Sequence, residues 1–247
     1  MPEGDAVWLT ARRLDKALAG HVLTVTDFRV PQLATADLSG QLAHGTVTRG
    51  KHLLTRIGDD WTLHTHLKME GEWKVFDAGK RWSRPAHTAR VVLSTAESQA
   101  VGFSLGIVEL LPRSRESATL DYLGPDLLGD DWDEAETVRR LREHGDEPLF
   151  DALRDQRNLA GLGTIWAAET CFSVGVHPLT RVQAVRDLPK LVRMAHLKLR
   201  ESIGPRRPLM AVYGRGRAAC RRCGTPITRL ETEDGRPIYL CPHCQPA

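Results

Sequence analysis

Leu123-Gly124-Pro125-Asp126 divides the sequence into two stretches of different periodicity. Gly-Pro interrupts helix and strand alike, because glycine loosens the backbone while proline removes an amide donor and restrains the residue before it. Upstream of this point apolar and polar residues alternate with period two. Val22-Leu23-Thr24-Val25, Val47-Thr48-Arg49, Leu53-Leu54-Thr55-Arg56-Ile57, Trp61-Thr62-Leu63 and Trp73-Lys74-Val75-Phe76 carry the pattern, and His87 to Thr95 and Val101 to Leu111 continue it. Gly58-Asp59-Asp60, Gly71 and Asp77-Ala78-Gly79 supply turns. Short strands at this spacing predict a β-sandwich or barrel. Ahead of them, Val7, Ala11, Leu14 and Leu18 share one side of a predicted helix that Gly20 stops.

Downstream the period becomes helical. Asp131 or Asp133 can cap a helix running to about His144, and Pro148-Leu149-Phe150 opens another. A third pattern runs from Thr164 to about Val174 and a fourth from Pro189 to Ile203. The fourth is expected to turn Leu191, Met194 and Leu197 inward, with Ile203 at its end, and to leave Lys190, Arg193 and Arg200 in solvent.

Past the last helical pattern, Cys220-Arg221-Arg222-Cys223 and Cys241-Pro242-His243-Cys244 are separated by 17 residues. Cys220, Cys223, Cys241 and Cys244 can supply four thiolates to one tetrahedral Zn2+, with Asp234-Gly235 turning a β-hairpin between the pairs. Four protein ligands close the coordination sphere, so the zinc is expected to be structural. Paired spacing of this kind favours metal over disulfides. Cys171, alone in a helical pattern, reads as a small buried apolar residue.

The net charge of +3 conceals an uneven distribution. Residues 1–123 carry 15 basic against 14 acidic side chains, residues 124–150 carry 3 against 9, and residues 151–247 carry 16 against 8. Between Arg181 and Arg229 lie 13 basic residues against only Asp187 and Glu201. That density suits either a solvated basic face or a polyanion partner. A zinc ribbon serves protein contacts as readily as nucleic acid, so neither feature decides function alone. No apolar run approaches the ~18 residues that span a bilayer, and Pro2-Glu3-Gly4-Asp5 is acidic where a signal peptide would be basic.

Pro2-Glu3 taken with the four-cysteine finger resembles the Fpg/Nei family of DNA glycosylases with abasic-site lyase activity. Further stretches along the chain carry the same resemblance. Gly50-Lys51-His52-Leu53-Leu54 is similar to the family's lysine-bearing strand, and His66-Leu67-Lys68-Met69-Glu70-Gly71 to a loop that enters the duplex. Leu123 to Leu127 resembles the interdomain segment, and Asp155-Gln156 with Gly161-Leu162-Gly163-Thr164-Ile165 resembles a helix-two-turn-helix closed by Val176-His177-Pro178. Tyr213-Gly214-Arg215 and Arg236 to Gln245 are similar to the family's finger. Taken singly, Glu3 suits a helix start, Lys51 a solvated strand and Met69 a core; only their order and spacing reverse those readings.

The resemblance implies an α+β fold: an N-terminal β-sandwich with a leading helix over residues 1–120, a helix-two-turn-helix domain over 121–208 and a zinc finger over 209–247. It implies that Pro2, freed by loss of Met1, is the nucleophile, since an α-amino group with a pKa near 8 is partly neutral around pH 7. Glu3 would act as general acid at the deoxyribose ring oxygen, and Lys51 would contact the substrate phosphate and assist elimination. Arg236 would hold phosphates beside an extruded nucleotide, Met69 with neighbours such as Leu67 would fill the gap it leaves, and the helix N-terminus at Gly161-Leu162-Gly163, with its free N–H groups and the Thr164 hydroxyl, would face a phosphate. The implied partner is double-stranded DNA with damaged bases or abasic sites, bound by a monomer with no membrane attachment, in a bacterial cytoplasm near the nucleoid.

Three departures bear on this. Ala6 stands where the family often has a second glutamate, Thr164 replaces an asparagine, and Val101 to Arg113 lacks an Arg-Arg-Phe-Gly stretch of the formamidopyrimidine branch. The endonuclease VIII (Nei) branch is therefore the better match, with oxidised pyrimidines as expected substrates. The alternatives are a preference for 8-oxoguanine and formamidopyrimidines, or a non-catalytic damaged-DNA binding protein of the same fold.

Overall fold

Alternation in the first half of the chain folds as two four-stranded antiparallel sheets, seen in a computed structural model that describes residues 2–247. Contacts divide the molecule into two units, Pro2 with Ala6–Asp121 and Glu3–Asp5 with Tyr122–Ala247.

In the first unit the elements are α1 (Gly4–Leu18), β1 (Val25–Phe28), β2 (Ala43–Arg49), β3 (His52–Ile57), β4 (Trp61–His66), β5 (Glu72–Asp77), β6 (Ala89–Ser94), β7 (Ser98–Phe103), β8 (Ile107–Pro112) and α2 (Glu116–Leu120). The sheets run β1-β6-β7-β5 and β2-β3-β4-β8. Phe28, Val91 and Leu93 of one and Leu53, Ile57, Leu63 and Val108 of the other close a single core together with Val7, Ala11, Leu14 and Leu18 of α1. The structure is thus a sandwich, one of the two forms that alternation allows. Truncating a fully buried leucine here to alanine costs about 2–5 kcal/mol. Gly20 ends α1 at φ +79°, as its position predicts. The first strand begins at Val25 rather than Val22, which makes only an isolated bridge to Leu42.

The outer face of the β2-β3-β4-β8 sheet carries polar side chains. Cross-strand pairing sets His52 opposite His66, Arg56 opposite Thr62, and His64 opposite Glu109. Glu116 of α2 closes this face. It accepts from Arg56 Nη2 at 2.7 Å and from Thr62 Oγ1 at 2.6 Å. Lys51 lies in the turn before β3 rather than in the strand. With Gly50 it makes a two-residue hairpin link, and Gly50 at φ +58° has the sign that the first position of a type II′ turn requires.

The second unit contains α3 (Glu134–Glu143), α4 (Leu149–Arg154), α5 (Thr164–Val174), α6 (Leu188–Ser202), β9 (Thr228–Glu231) and β10 (Pro237–Leu240). Asp133 caps α3 by accepting the Glu136 amide at 2.9 Å, which decides between the two candidate caps. α5 is buried almost all round, from Trp166 to Phe172, with α4 and α6 packed against it and α3 against α6. The inward face of α6 is Leu188, Leu191, Val192, Ala195 and Leu199. Leu191 is buried and Lys190, Arg193 and Arg200 are exposed as expected, but Leu197 is 47% exposed and Met194 only half-buried, so the expected stripe leaves the core after Leu191. Leucines on both sides of α6 offer two stripes at helical spacing, and packing against α5 selects the other one. Among the described residues no helix is long and apolar enough to cross a membrane.

Candidate active site and nucleic-acid interface

Glu3 is buried at 3% exposure, with its carboxylate seated on the N-terminus of α5. Oε2 accepts from the Gly163 amide at 2.9 Å and the Trp166 amide at 3.2 Å, and Oε1 from the Ile165 amide at 2.7 Å. The first amides of a helix have no partner within the helix, and the dipole there favours an anion. The side chain therefore caps a helix far along the chain rather than its own. Gly163 is required by this contact: a Cβ on it would lie 2.6 Å from the Glu3 carboxyl carbon. The amides of Gly163, Ile165 and Trp166 are consequently engaged by Glu3 rather than free for a phosphate, and Thr164 is not among the groups that Glu3 occupies. Thr164, half-buried, opens α5.

The loop before α5 is stapled by Gln156, which accepts from the Gly161 amide at 3.0 Å and donates to the Leu162 carbonyl at 2.8 Å. Gly4 N–H donates to the Gly161 carbonyl at 2.8 Å, which fixes the backbone just beyond Glu3. Asp5, also buried, pairs with Arg207 at 3.5 Å. Burial, and next the charge of Glu3, push the Tyr213 hydroxyl above its usual range. On α5 itself, buried Glu169 accepts the Ala211, Val212 and Tyr213 amides at 2.9, 2.8 and 2.9 Å. It ties the segment leading into the finger to the central helix. A carboxylate inside an otherwise apolar helix was a legible signal of such a role, and sequence reasoning passed over it.

The thiols of Cys220, Cys223, Cys241 and Cys244 lie within 4.8 Å of one another. Cys223 Sγ and Cys241 Sγ are 3.5 Å apart, close to the ~3.8 Å edge of a tetrahedron with 2.3 Å zinc–sulfur bonds. The Arg222 and Cys244 amides point at the sulfurs of Cys220 and Cys241. Burial and the neighbouring thiols push Cys244 up to about 12, a crowding that a divalent cation relieves. The donor set and its spacing fit zinc. Cys171 is fully buried and pushed up to about 12 by that burial, so it is inert.

β9 and β10 pair antiparallel about the Asp234-Gly235 turn, with Gly235 at φ +75°. Arg236 precedes β10 and remains part-exposed, its Nε 3.6 Å from Asp234 Oδ2. Asp234 also receives Arg154 Nη2 at 3.1 Å and the Thr232 hydroxyl. This carboxylate beside Arg236 was unforeseen in the sequence.

In the sandwich unit Pro2 is half-buried and Lys51 is buried at 6% exposure. Met69 is 59% exposed in the loop after β4, where Lys68 takes φ +54°. Leu67 beside it is 3% exposed and belongs to the core, so it does not join Met69 at the surface.

Residues 1–104 match the formamidopyrimidine-DNA glycosylase N-terminal domain, and residues 219–247 match a zinc finger found in FPG and IleRS. The chain is 46% identical to a probable endonuclease 8 2 of Streptomyces coelicolor, over 99% of this chain and 94% of that protein. It is 42% identical to the DNA-(apurinic or apyrimidinic site) lyase Nei2 of Mycolicibacterium smegmatis over the full length of both. The same fold occurs in a MutM solved with carbocyclic 8-oxo-G-containing DNA, at TM-score 0.87 and 24% identity over the whole of both chains. The chain belongs to the Fpg/Nei family of DNA glycosylases. Within it, the full-length likeness is to proteins named endonuclease 8, in keeping with the branch that the missing Arg-Arg-Phe-Gly stretch indicated.

Proposed function

We propose that this protein is a base-excision repair enzyme, a bifunctional DNA glycosylase and abasic-site lyase that removes oxidised pyrimidines from double-stranded DNA. The observation that carries the reading is full-length identity of 42–46% to proteins named endonuclease 8 and Nei2 lyase. Pro2-Glu3, Lys51 and the four thiols all lie within that alignment's span.

With Met1 removed, the Pro2 nitrogen bonds to C1′ of the damaged nucleotide and the base departs with the electron pair of the glycosidic bond. The sugar ring opens as O4′ takes a proton and the nitrogen lone pair completes an iminium. Glu3 is the donor for that proton. Its carboxylate, held by three amide donors, first takes the proton that the Pro2 nitrogen loses on bonding to C1′ and then passes it to O4′. The iminium acidifies C2′; loss of that proton expels the 3′ phosphate, and a further elimination expels the 5′ phosphate. Lys51 holds the substrate phosphate and assists both steps. Arg236 grips phosphates beside the extruded nucleotide, and exposed Met69 enters the space that it vacates. Thr164 offers its hydroxyl to the backbone, a shorter reach than asparagine. Zinc bound by the four thiolates would hold the finger rigid and take no part in the chemistry.

Borohydride trapping tests this across duplexes carrying thymine glycol, 5-hydroxyuracil, 8-oxoguanine or an abasic site. A covalent adduct on the abasic and oxidised-pyrimidine duplexes is expected, lost on Pro2→Gly. An adduct on 8-oxoguanine alone would reassign the substrate, and binding without any adduct would make the protein a non-catalytic binder.

A further inference from the structure

Three histidines and a glutamate on the outer face of the β2-β3-β4-β8 sheet have no part in the chemistry above. His52, His64 and His66 are 7, 3 and 8% exposed. His64 Nδ1 lies 3.0 Å from Glu109 Oε2, and His52 Nδ1 lies 2.8 Å from His64 Nε2. With each ring taken as neutral, these contacts set where the hydrogens are. A carboxylate only accepts, so His64 Nδ1 carries the hydrogen and donates to Glu109. A neutral imidazole has one hydrogen, which leaves His64 Nε2 a lone pair that His52 Nδ1–H must fill. His52 Nε2 is then an acceptor. His66 has the opposite tautomer, because its Nδ1 accepts the Lys68 amide at 2.9 Å.

Charge keeps the chain in this state. The groups facing His52 are Lys51 in its own turn, His64 and His66 of β4 and Lys68 beyond it; Glu109 of β8 acts through His64. Burial first, then these rings and cations, pushes His52 down to about 3, so at neutral pH it adds no second positive charge beside the Lys51 ammonium. Lys51 occupies the second place of a two-residue turn whose outgoing end is His52. The backbone that carries the lysine stem is thus continuous with the residue whose ring ends the chain.

We propose that Glu109, His64 and His52 form a one-way hydrogen-bonded chain that fixes His52 as the Nδ1–H tautomer and makes it a positioning residue for Lys51. The role rests on Lys51 acting as described under the proposed function. Glu109→Gln is the informative variant, because glutamine can donate as well as accept and so releases the direction of the chain. Glu109 is half-exposed, so the change leaves the core untouched.

Nitrogen-15 NMR of the histidine rings at pH 7, with single-turnover trapping and affinity measured on an abasic duplex, tests this. Expected are Nδ1–H at His52 and His64 and Nε2–H at His66 in the parent protein. In E109Q a share of Nε2–H should grow at His52, with trapping slowed about ten- to a hundredfold. His64→Phe, which cannot accept from His52, should slow trapping similarly. Nε2–H at His52 in the parent, an unchanged tautomer in E109Q, or a changed tautomer with parental trapping rates would each overturn the proposal. A parent protein that traps nothing would overturn the lyase reading and the role of His52 with it, while the tautomers would still be read independently.

Discussion

The carboxylate of Glu3 rests 2.9 Å from the amide of Gly163, a residue 160 positions away. The same side chain occupies three amides of α5, so the second residue after Met1 is an integral part of a helix in the other half of the sequence.

Gly163→Ala is expected to break this contact, since the added methyl has no space beside the Glu3 carboxyl. A loss of about 1–3 kcal/mol in unfolding free energy, with trapping reduced at least tenfold, follows from orphaning the buried carboxylate. Denaturant melts and borohydride trapping of the same preparation measure both. A variant with parental stability would show that the cap is dispensable.

Arg236 and Arg154 share Asp234. Arg236→Ala should lower affinity for abasic duplex and reduce the salt slope of binding by about 1. Asp234→Asn should do the reverse in affinity, because it frees Arg236 from a competing carboxylate. Titrations at several salt concentrations distinguish the two signs.

Removing zinc should loosen the two cysteine knuckles of the finger. Metal analysis is expected to find about one zinc per chain. Cys244→Ser or exhaustive chelation should lower the melting temperature and abolish tight duplex binding, with readdition of zinc restoring both after chelation.

Stability should decline on mild acidification. Burial, with the neighbouring lysines and histidines, pushes His52 down to about 3 and His66 down to about 4, from an ordinary 6.5. The unfolded chain takes up protons at these positions below pH 6.5 while the folded chain does not. Their contribution is therefore complete above pH 6.5 and is lost progressively toward pH 3. Glu116, held below its ordinary 4.5 by Arg56 and Thr62 despite burial, adds a loss at the lower end of this window. Thermal melts between pH 7.5 and 4 measure the decline, which His52→Asn should flatten.

Met69→Ala should leave stability within about 0.5 kcal/mol, as the side chain is largely in solvent. Excision from duplex DNA should fall more than cleavage of an abasic site, because an abasic site leaves no base to displace.

Much of this was readable in the sequence where the signal was local. Alternation marked the strands because each buries one face, and the helical pattern from Thr164 to Val174 coincides with α5 at both ends. Cysteine spacing placed the four thiols, since two knuckles joined by a hairpin have little choice of geometry. What escaped depended on pairing between distant residues. Nothing near Glu3 announces α5, and the His52–His64–Glu109 chain exists only once three strands adopt their register. The phase of α6 was misread because its apolar residues wrap more than one face, and only the neighbouring helix decides between them.

The bond between Glu3 and Gly163 also imposes an order on biosynthesis. The amino terminus leaves the ribosome first, but its partner on α5 follows only 160 residues later. Over that interval the chain must survive with an uncapped carboxylate, and closing so long a loop is entropically costly until the helical half has packed. The Glu3 carboxylate thus reaches its seat on α5 only when the helical half of the chain is complete.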